Sequence, residues 1–299
     1  PTSFQMMVGG HTILVNNGAA ASFSRDISGL SGSNDRARTA VGYSQDGKTV
    51  YLITVEESGD RKGVTLKELQ QIMLKLGVYK GVNMDGGGST TMVTRPLGET
   101  AVTLTHPTSS GTYQRLVANG IGVYTTAPQG SIKGIVASGP STLFIGQQAT
   151  YSLKAYDTYY NPIDASTLAP TWSASSGAGT FQNGVFTATK TGTAKLTVKA
   201  GSATNTVDIE VVGGDQLSQL SVSPSTTLLQ VGQTISVPVT AKLKDGRELS
   251  VPASSVKWEF KGFTADVSGG QLVVKSVNEN ATNAYAIARY DGFSTMIVL

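Results

Sequence analysis

Alternating apolar and polar residues dominate the C-terminal half of the chain. In AKLTVKA (194–200) and NTVDIEVV (205–212), apolar side chains recur at every second position. Because successive side chains of a β-strand point to opposite faces, this pattern predicts strands with one buried face. Turn-forming Gly, Pro and Asn residues separate such segments, so we expect an all-β region.

This region contains two copies of one module. Landmarks of the first copy recur at a constant offset in the second: Gly146, Trp172 and Gly184 correspond to Gly232, Trp258 and Gly270. Such self-similarity indicates tandem domains, which we place at 132–213 and 215–299. The strand content and the single Trp of each copy favour an immunoglobulin-like sandwich without a disulfide. Both copies resemble bacterial Ig-like domains of the group-2 kind.

A helical pattern occurs once in the N-terminal part, in TLKELQQIMLKLG (65–77). Apolar residues recur there at the spacing of one helix face. Thr65 and Glu68 have the spacing of a capping box, and Gly77 suits a left-handed helix end. We therefore predict an amphipathic helix whose apolar face packs on a core.

Further segments of the N-terminal part predict strands, at 39–44, 49–56, 81–85, 90–94 and 120–125. The intervening SQDGKT (44–49) predicts a hairpin turn. The predicted fold class is therefore multi-domain. Residues 1–126 form an α+β catalytic-type domain with a mixed sheet and a packed helix, 127–131 form a linker, and two all-β Ig-like sandwiches follow.

Composition narrows the possible functions. The net charge is +3 and 14% of the 299 residues are charged, with no basic run, so we expect no nucleic-acid partner. The chain has no cysteine and only two histidines, His11 and His106; we therefore predict no disulfide, no metal site and no cofactor. No apolar run approaches the roughly 18 residues that span a bilayer, and the first ten residues lack a signal-peptide pattern.

The most unusual stretch is VNMDGGGSTTMV (82–93), in which Asp85 ends a predicted strand and three glycines follow. Glycines allow successive amides to converge on an anion, so Gly86, Gly87 and Gly88 are candidate phosphate binders. The hydroxyls of Ser89 and Thr90 can add donors. The alternative interpretation is a tight turn whose glycines only avoid clashes, and the run alone does not decide between them.

Two arginines precede predicted strands, Arg38 in RARTAVGY (36–43) and Arg115 in YQRLVANGIGVY (113–124). A guanidinium can bind two phosphate oxygens at once, which makes both arginines candidates for an anion site. Asn119 follows Arg115 by four residues. For either arginine alone the alternative is a solvated charge at the end of a strand. His106, in LTHPTSS, is interpreted as a solvated loop histidine.

Together RTAVG, the capped helix, NMDGGGSTTMV and RLVANGIGVY resemble, in order and spacing, the phosphodiester glycosidase family. The resemblance covers residues 1–126 and implies cleavage between the anomeric carbon of a sugar and a phosphodiester. It implies catalytic residues Asp85, Arg38 and Arg115. The implied substrate and phosphate ligands are Gly86, Gly87, Gly88, Ser89, Thr90 and Asn119.

The resemblance leaves the role of Asp85 open between facing the anomeric carbon and orienting sugar hydroxyls. Glu56 is a second carboxylate to consider, although VEESGDR departs from the family pattern there. Family members also carry an upstream half, and MMVGGHTILVNNG (6–18) resembles the middle of such a domain. We therefore expect an upstream segment of the same precursor to complete the sheet.

Two hypotheses follow. The first is a glycoside hydrolase acting on sugar-1-phosphodiesters in cell-surface or extracellular glycopolymers, with a glycan or sugar-phosphate as its partner. The second is a non-catalytic carbohydrate-binding or adhesion protein. In either case we expect a secreted or cell-wall-associated protein of a Gram-positive bacterium, with the Ig-like modules as spacers or anchors.

Overall fold

The protein is described from a computed structural model that covers residues 7–23, 27–182, 184–281 and 283–299. It is mostly β, and its described residues contain one α-helix. The chain divides into two compact units, Pro1–Thr125 and Thr126–Leu299. The start of the segment expected to be the middle of a domain, Met6, lies outside the described residues.

The first unit is built on a five-stranded sheet and one helix. Its elements are β1 (Thr12–Asn16), β2 (Ala19–Ala20), β3 (Arg38–Tyr43), β4 (Val50–Val55), α1 (Leu66–Lys75), β5 (Lys80–Asn83), β6 (Val93–Thr94) and β7 (Thr103–Leu104). The strand order in the sheet is β2-β1-β5-β3-β4, and β6 pairs only with β7.

Every pair in the five-stranded sheet is antiparallel, so the prediction of a mixed sheet is wrong. The physical reason lies in the helical connection. α1 joins β4 to β5, and these strands run in the same direction because each is antiparallel to β3. Since β3 lies between them, the crossover creates no parallel pair.

The predicted helix is confirmed together with its caps. The amide of Glu68 donates to Thr65 Oγ1 at 3.2 Å, and the amide of Thr65 donates to Glu68 Oε2 at 2.8 Å. Gly77 has φ +79°, the left-handed conformation that glycine adopts without strain. The helix packs on the sheet through residues that are fully buried: Leu14, Val15, Ala40, Leu66, Leu69 and Met73.

The predicted strands at 39–44, 49–56 and 81–85 form within one or two residues of their expected bounds. The turn at 44–49 also forms, with φ +68° at Gly47. The strand expected at 90–94 is reduced to β6, and 120–125 forms no strand. The side chains of Val123 and Tyr124 are 76% and 89% exposed, so the alternation there has no neighbouring sheet to cover it.

The second unit contains two sets of sheets. Residues 132–212 form strands β8 (Ile132–Ser138), β9 (Thr142–Phe144), β10 (Gln148–Thr150), β11 (Ser152–Asp157), β12 (Pro162–Ile163), β13 (Thr171–Ala174), β14 (Gly179–Gln182), β15 (Val185–Ala188), β16 (Gly192–Ala200) and β17 (Ala203–Val212). Their sheets have the orders β10-β15-β14, β12-β11-β8 and β13-β16-β17-β9.

Residues 217–298 form strands β18 (Leu217–Val222), β19 (Thr234–Ser236), β20 (Val239–Leu243), β21 (Glu248–Ser250), β22 (Lys257–Lys261), β23 (Phe263–Ser268), β24 (Gln271–Val277), β25 (Tyr285–Tyr290) and β26 (Phe293–Val298). Their sheets have the orders β18-β20-β21, β19-β24-β23 and β22-β25-β26. Trp172 and Trp258 each contact the apolar core of their own set.

The segment predicted to be a linker, 127–131, is tied to the first of these sets by Asp157. This fully buried carboxylate accepts hydrogen bonds from the amide of Gly130 at 2.7 Å and from the amides of Tyr159 and Asn161 at 2.8 Å. Burial acts to raise the pKa of Asp157, but these amide donors together lower it below the ordinary value. The carboxylate therefore stays ionised and fixes the linker.

Candidate functional site

The glycine run is held against the residues that lead into β3. The amide of Gly87 donates to the carbonyl of Ala37 at 2.8 Å, and Gly87 has φ +58°. A Cβ added at Gly86 would lie 2.9 Å from the same carbonyl oxygen, closer than side-chain carbons normally approach backbone. Glycine at 86 thus permits a close backbone approach, and glycine at 87 permits the left-handed turn.

Most amides of the run are already hydrogen-bonded within the protein. Besides Gly87, the amide of Ser89 donates to Gly86 at 3.1 Å and that of Thr90 donates to Gly87 at 3.0 Å, which makes residues 87–89 a single 3-10 turn. In the described part of the chain, the amides of Gly86 and Gly88 have no backbone partner. The anion nest expected from consecutive amides is therefore reduced to these two donors.

The side chain of Thr90 also departs from the expectation. Thr90 is 1% exposed, and its hydroxyl lies 3.2 Å from that of Thr39 on β3, which donates to it. This contact links the run to the sheet. The prediction that Thr90 presents a donor to a ligand does not fit this burial.

Asp85, Ser89 and Asn119 line one cavity of about 500 Å³. Its sheet wall includes Thr39 of β3 and Thr54 of β4, whereas their sequence neighbours Ala40 and Val55 pack on the α1 side. Among the described residues, no hydrogen bond or ion pair engages the side chains of Asp85, Ser89 and Asn119. These polar groups are free to contact a ligand.

Arg115 lies beside the glycine run. A Cβ added at Gly88 would be 3.6 Å from Arg115 Nη1 and 3.8 Å from its Cδ. The arginine is exposed, and within the described residues it makes no ion pair. Its guanidinium can therefore reach an anion bound at Gly88, next to the cavity that Asp85 lines.

Arg38 is placed differently from the prediction. Its side chain is 3% exposed, and four of its hydrogen bonds reach backbone carbonyls: Nε to Val64 at 3.0 Å, Nη1 to Leu30 at 3.1 Å, and Nη2 to Ser31 and Asn34, both at 2.8 Å. Burial lowers the pKa of Arg38, and neighbouring Arg36 lowers it further.

Since four of the five guanidinium N–H groups are committed to the protein, direct phosphate binding by Arg38 does not fit the geometry. Arg38 shares the α1 side of β3 with Ala40, because side chains two apart on a strand face the same way. Its carbonyl partners instead hold the chain between residues 30 and 34 against the sheet. The arginine is thus a structural support for the site.

The carboxylates after β4 are also committed within the protein. Glu56 Oε1 accepts hydrogen bonds from the Ser58 hydroxyl and from Arg61 Nη1, the latter at 3.0 Å. The Ser58 hydrogen bond is the main cause that lowers the pKa of Glu56, with Arg61 contributing and burial opposing. Glu56 does not line the cavity, so a second catalytic carboxylate at this position finds no support.

His106 contacts the cavity wall, which the sequence interpretation missed. Its Nε2 lies 2.8 Å from Thr54 Oγ1, and its Nδ1 lies 2.8 Å from the carbonyl of Pro107. A carbonyl only accepts, so Nδ1 carries a proton and Thr54 donates to Nε2 in the neutral ring. The one available signal was Thr54 itself, a polar residue within the apolar segment YLITV (51–55).

Comparison with curated proteins finds related sequences. N-acetylglucosamine-1-phosphodiester alpha-N-acetylglucosaminidase of Bos taurus is 39% identical over 72 residues, which are 24% of this chain and 12% of that protein. The Homo sapiens protein of the same name is 36% identical over 72 residues, covering 24% and 13%. The chain therefore spans only about an eighth of the length of these relatives.

Solved structures similar to the chain include the Yersinia pseudotuberculosis adhesin InvE, with 20% identity over 57% of this chain and 60% of that one, and a TM-score of 0.24. The S-layer protein SbsC is similar over 97% of this chain and 53% of its own, with 13% identity and a TM-score of 0.27. Scores this low assign neither fold nor function.

A family match covers the first unit and its site. The phosphodiester glycosidase family model matches residues 2–124, a range that includes the glycine run, Asp85, Arg115 and the cavity. The described residues contain no helix long and apolar enough to cross a membrane. The part of the chain that contains the candidate site is thus similar to the phosphodiester glycosidase family.

Proposed function

We propose that the first unit hydrolyses the bond between the anomeric carbon of a sugar and a phosphodiester. One observation carries the proposal: Asp85, Ser89 and Asn119 line one cavity, and the Arg115 guanidinium lies at its edge beside Gly88. In the transition state of this reaction, positive charge develops on the anomeric carbon and negative charge on the departing phosphate. A carboxylate suits the first charge, and a guanidinium beside free backbone amides suits the second.

In the proposed reaction the bond between the anomeric carbon and the phosphate oxygen breaks, and its electron pair stays on the phosphate. Arg115 and the amides of Gly86 and Gly88 stabilise that charge. Asp85 faces the oxocarbenium-like carbon, where a negative charge lowers the energy of the transition state. Water supplies the oxygen bonded to the anomeric carbon, so the products are a free sugar and a phosphomonoester.

A single carboxylate is sufficient for this chemistry. A phosphate is a good leaving group and needs less protonation than an alcohol, so the acid that other glycosidases place opposite their nucleophile is dispensable. Among the described residues, Asp85 is the one carboxylate that lines the cavity. Glu56, the other carboxylate considered, is hydrogen-bonded to Ser58 and Arg61 instead.

We further propose that an upstream segment of the same precursor completes this unit as an α+β catalytic domain. Outside the cavity lining, large apolar side chains are exposed along one segment without a strand partner: Tyr113, Leu116, Val123 and Tyr124, each more than half exposed. Contiguous exposure of this kind marks an interaction surface. A chain extended upstream is expected to protect the amides of 113–124 from hydrogen exchange.

The natural substrate proposed here is a sugar-1-phosphodiester of the N-acetylglucosamine kind in a cell-surface or extracellular glycopolymer. Localisation at the cell surface of a Gram-positive bacterium, with Ig-like modules as spacers, belongs to the same proposal. The tandem modules of the second unit would serve as such spacers.

The test is the release of free sugar from a UDP-sugar and from a synthetic sugar-1-phosphodiester. Asp85→Asn and Arg115→Ala are expected to lower kcat/KM by at least about a hundredfold, the usual scale for a transition-state contact. Matched controls in the same unit are Asp60→Asn and Arg61→Ala, which change exposed side chains outside the cavity. Turnover that survives both site variants would remove Asp85 and Arg115 from the reaction.

The same experiment addresses the non-catalytic alternative. If the parent protein, with its upstream segment restored, binds sugar-1-phosphodiesters but turns none of them over, the binding hypothesis replaces the enzymatic one. Isothermal titration with the intact diester separates the two outcomes, because binding is measured without any reaction.

A further inference from the structure

The wall of the cavity beside Asp85 is more apolar than polar. Its apolar lining includes Val41, Leu52, Met92, Val93, Val117 and Ile121. Its polar side chains without a hydrogen bond among the described residues are those of Asp85, Ser89, Thr91 and Asn119, none of which lies on a strand of the sheet. The volume of about 500 Å³ falls in the range of small-molecule sites.

The two hydroxyl groups on the sheet wall have no proton left to donate to a ligand and can only accept. Thr39 donates to Thr90, and Thr54 donates to His106 Nε2 at 2.8 Å, with Met92 Sδ at 3.7 Å as its other acceptor. Each threonine has only one hydroxyl proton, and both are therefore used inside the protein. One buried hydroxyl of the lining, that of Thr91, has no partner among the described residues.

A sugar ring is a poor occupant for such a wall. Each of its hydroxyls would leave water and find few partners, and unpaired polar groups are costly to bury. An alkyl or aryl group gives up no hydrogen bonds when it enters the cavity, and its transfer from water to an apolar environment has a favourable free energy. The single free hydroxyl of Thr91 can satisfy one polar atom of such a group.

We propose that this cavity binds an apolar aglycone, an alkyl or aryl alcohol esterified to the phosphate of the sugar-1-phosphodiester. This inference rests on the proposed function, because it uses the same site and extends it to the substrate class. Charge complementarity fixes the orientation. The phosphate lies at Arg115 and Gly88, and the apolar group continues from it along Leu52 and Met92.

The experiment compares diesters of one sugar whose alcohols are methyl, butyl, octyl, phenyl and a hexose. We expect kcat/KM to rise by about two- to fourfold for each added methylene until the cavity is filled, which corresponds to the transfer free energy of a buried methylene. The hexose ester is expected to be the poorest substrate of comparable size.

Leu52→Gln places an amide in the apolar wall and is expected to reduce the ratio of octyl to methyl kcat/KM at least tenfold. Leu52→Ala, which adds no polar group, is expected to reduce the same ratio more weakly and covers the case in which the glutamine variant does not fold. Val50→Gln is the matched control, since Val50 lies two residues away on the same face of β4, is 63% exposed and does not line the cavity.

The outcomes separate the two proposals. Equal kcat/KM for all aglycones, or a preference for the hexose ester, overturns the apolar-aglycone proposal and leaves the hydrolase intact. A ratio unchanged in both Leu52 variants overturns the assignment of the cavity. No turnover of any diester overturns the proposed function and this inference together.

Discussion

Replacing Arg38 by lysine separates a structural role from phosphate binding. Lysine keeps the positive charge but has one nitrogen in place of three, so it cannot reach the carbonyls of Leu30, Ser31, Asn34 and Val64 together. Leaving one buried carbonyl without its hydrogen-bond donor costs about 1–3 kcal/mol. The costs of losing all four hydrogen bonds would sum to more than this. However, the lysine ammonium can still donate to some of these carbonyls, and such costs are not additive.

The two units can be followed separately in one urea titration. Both tryptophans, Trp172 and Trp258, lie in the second unit, whereas α1 lies in the first. In Arg38→Lys, the unfolding transition followed by the helical band in far-ultraviolet circular dichroism should therefore have a lower urea midpoint. The expected loss in free energy of unfolding is about 3 kcal/mol, while the midpoint followed by tryptophan fluorescence stays unchanged. Unchanged stability with weakened binding of a phosphodiester would refute the structural role and restore Arg38 to the site.

Three other changes test the packing around the site and the linker. Gly86→Ala, whose Cβ meets the Ala37 carbonyl at 2.9 Å, should cost about 3 kcal/mol, against about 1 kcal/mol for the strain in Gly87→Ala; equal urea midpoints would contradict the close approach. Leu69→Ala, at a fully buried position, should lower the helical transition by about 3 kcal/mol, and a loss below 1 kcal/mol would mean that α1 does not pack on the sheet. Because the folded pKa of Asp157 is lowered, its stabilisation is present above the ordinary pKa of 3.8 and is lost as pH falls further. The parent should thus be more stable than Asp157→Asn at neutral pH, as measured by the free energy of unfolding from tryptophan fluorescence, and this difference should vanish in acid. A difference that stays constant down to pH 2 would show that an ionised Asp157 does not hold the linker.

Local patterns predicted the elements that depend on local interactions. The capping residues and apolar spacing of α1 are sequence features, and the helix forms with the expected caps. β3, β4 and their turn are likewise close in the chain. The segment 120–125 has the same alternation, but a strand also needs a neighbour, and no neighbour is present among the described residues.

The sequence predicted most of the residues that lie at the candidate site, but it did not predict which groups they contact. Asp85, Ser89 and Asn119 do share a cavity, and Arg115 lies beside Gly88. Arg38 has the same appearance in sequence as Arg115, yet its strand position directs it to the α1 side. Which face of a sheet a residue occupies depends on strand pairing, and single-residue chemistry carries no information about it.

His106 shows the opposite error. A histidine in a polar loop is usually solvated, but the fold brings it to Thr54, 52 positions earlier in the chain. Contacts of this length depend on the path of the loop after β7. Such contacts can be identified only from the three-dimensional structure of the backbone.

Cleavage at the anomeric carbon can be tested with water labelled with the heavy oxygen isotope. Mass spectrometry of the products after a single turnover locates the label. The proposed reaction places it in the released sugar, since water attacks the carbon beside Asp85 while Arg115 holds the departing phosphate. Label in the phosphomonoester would show cleavage at phosphorus and would contradict the assignment of Asp85 and Arg115.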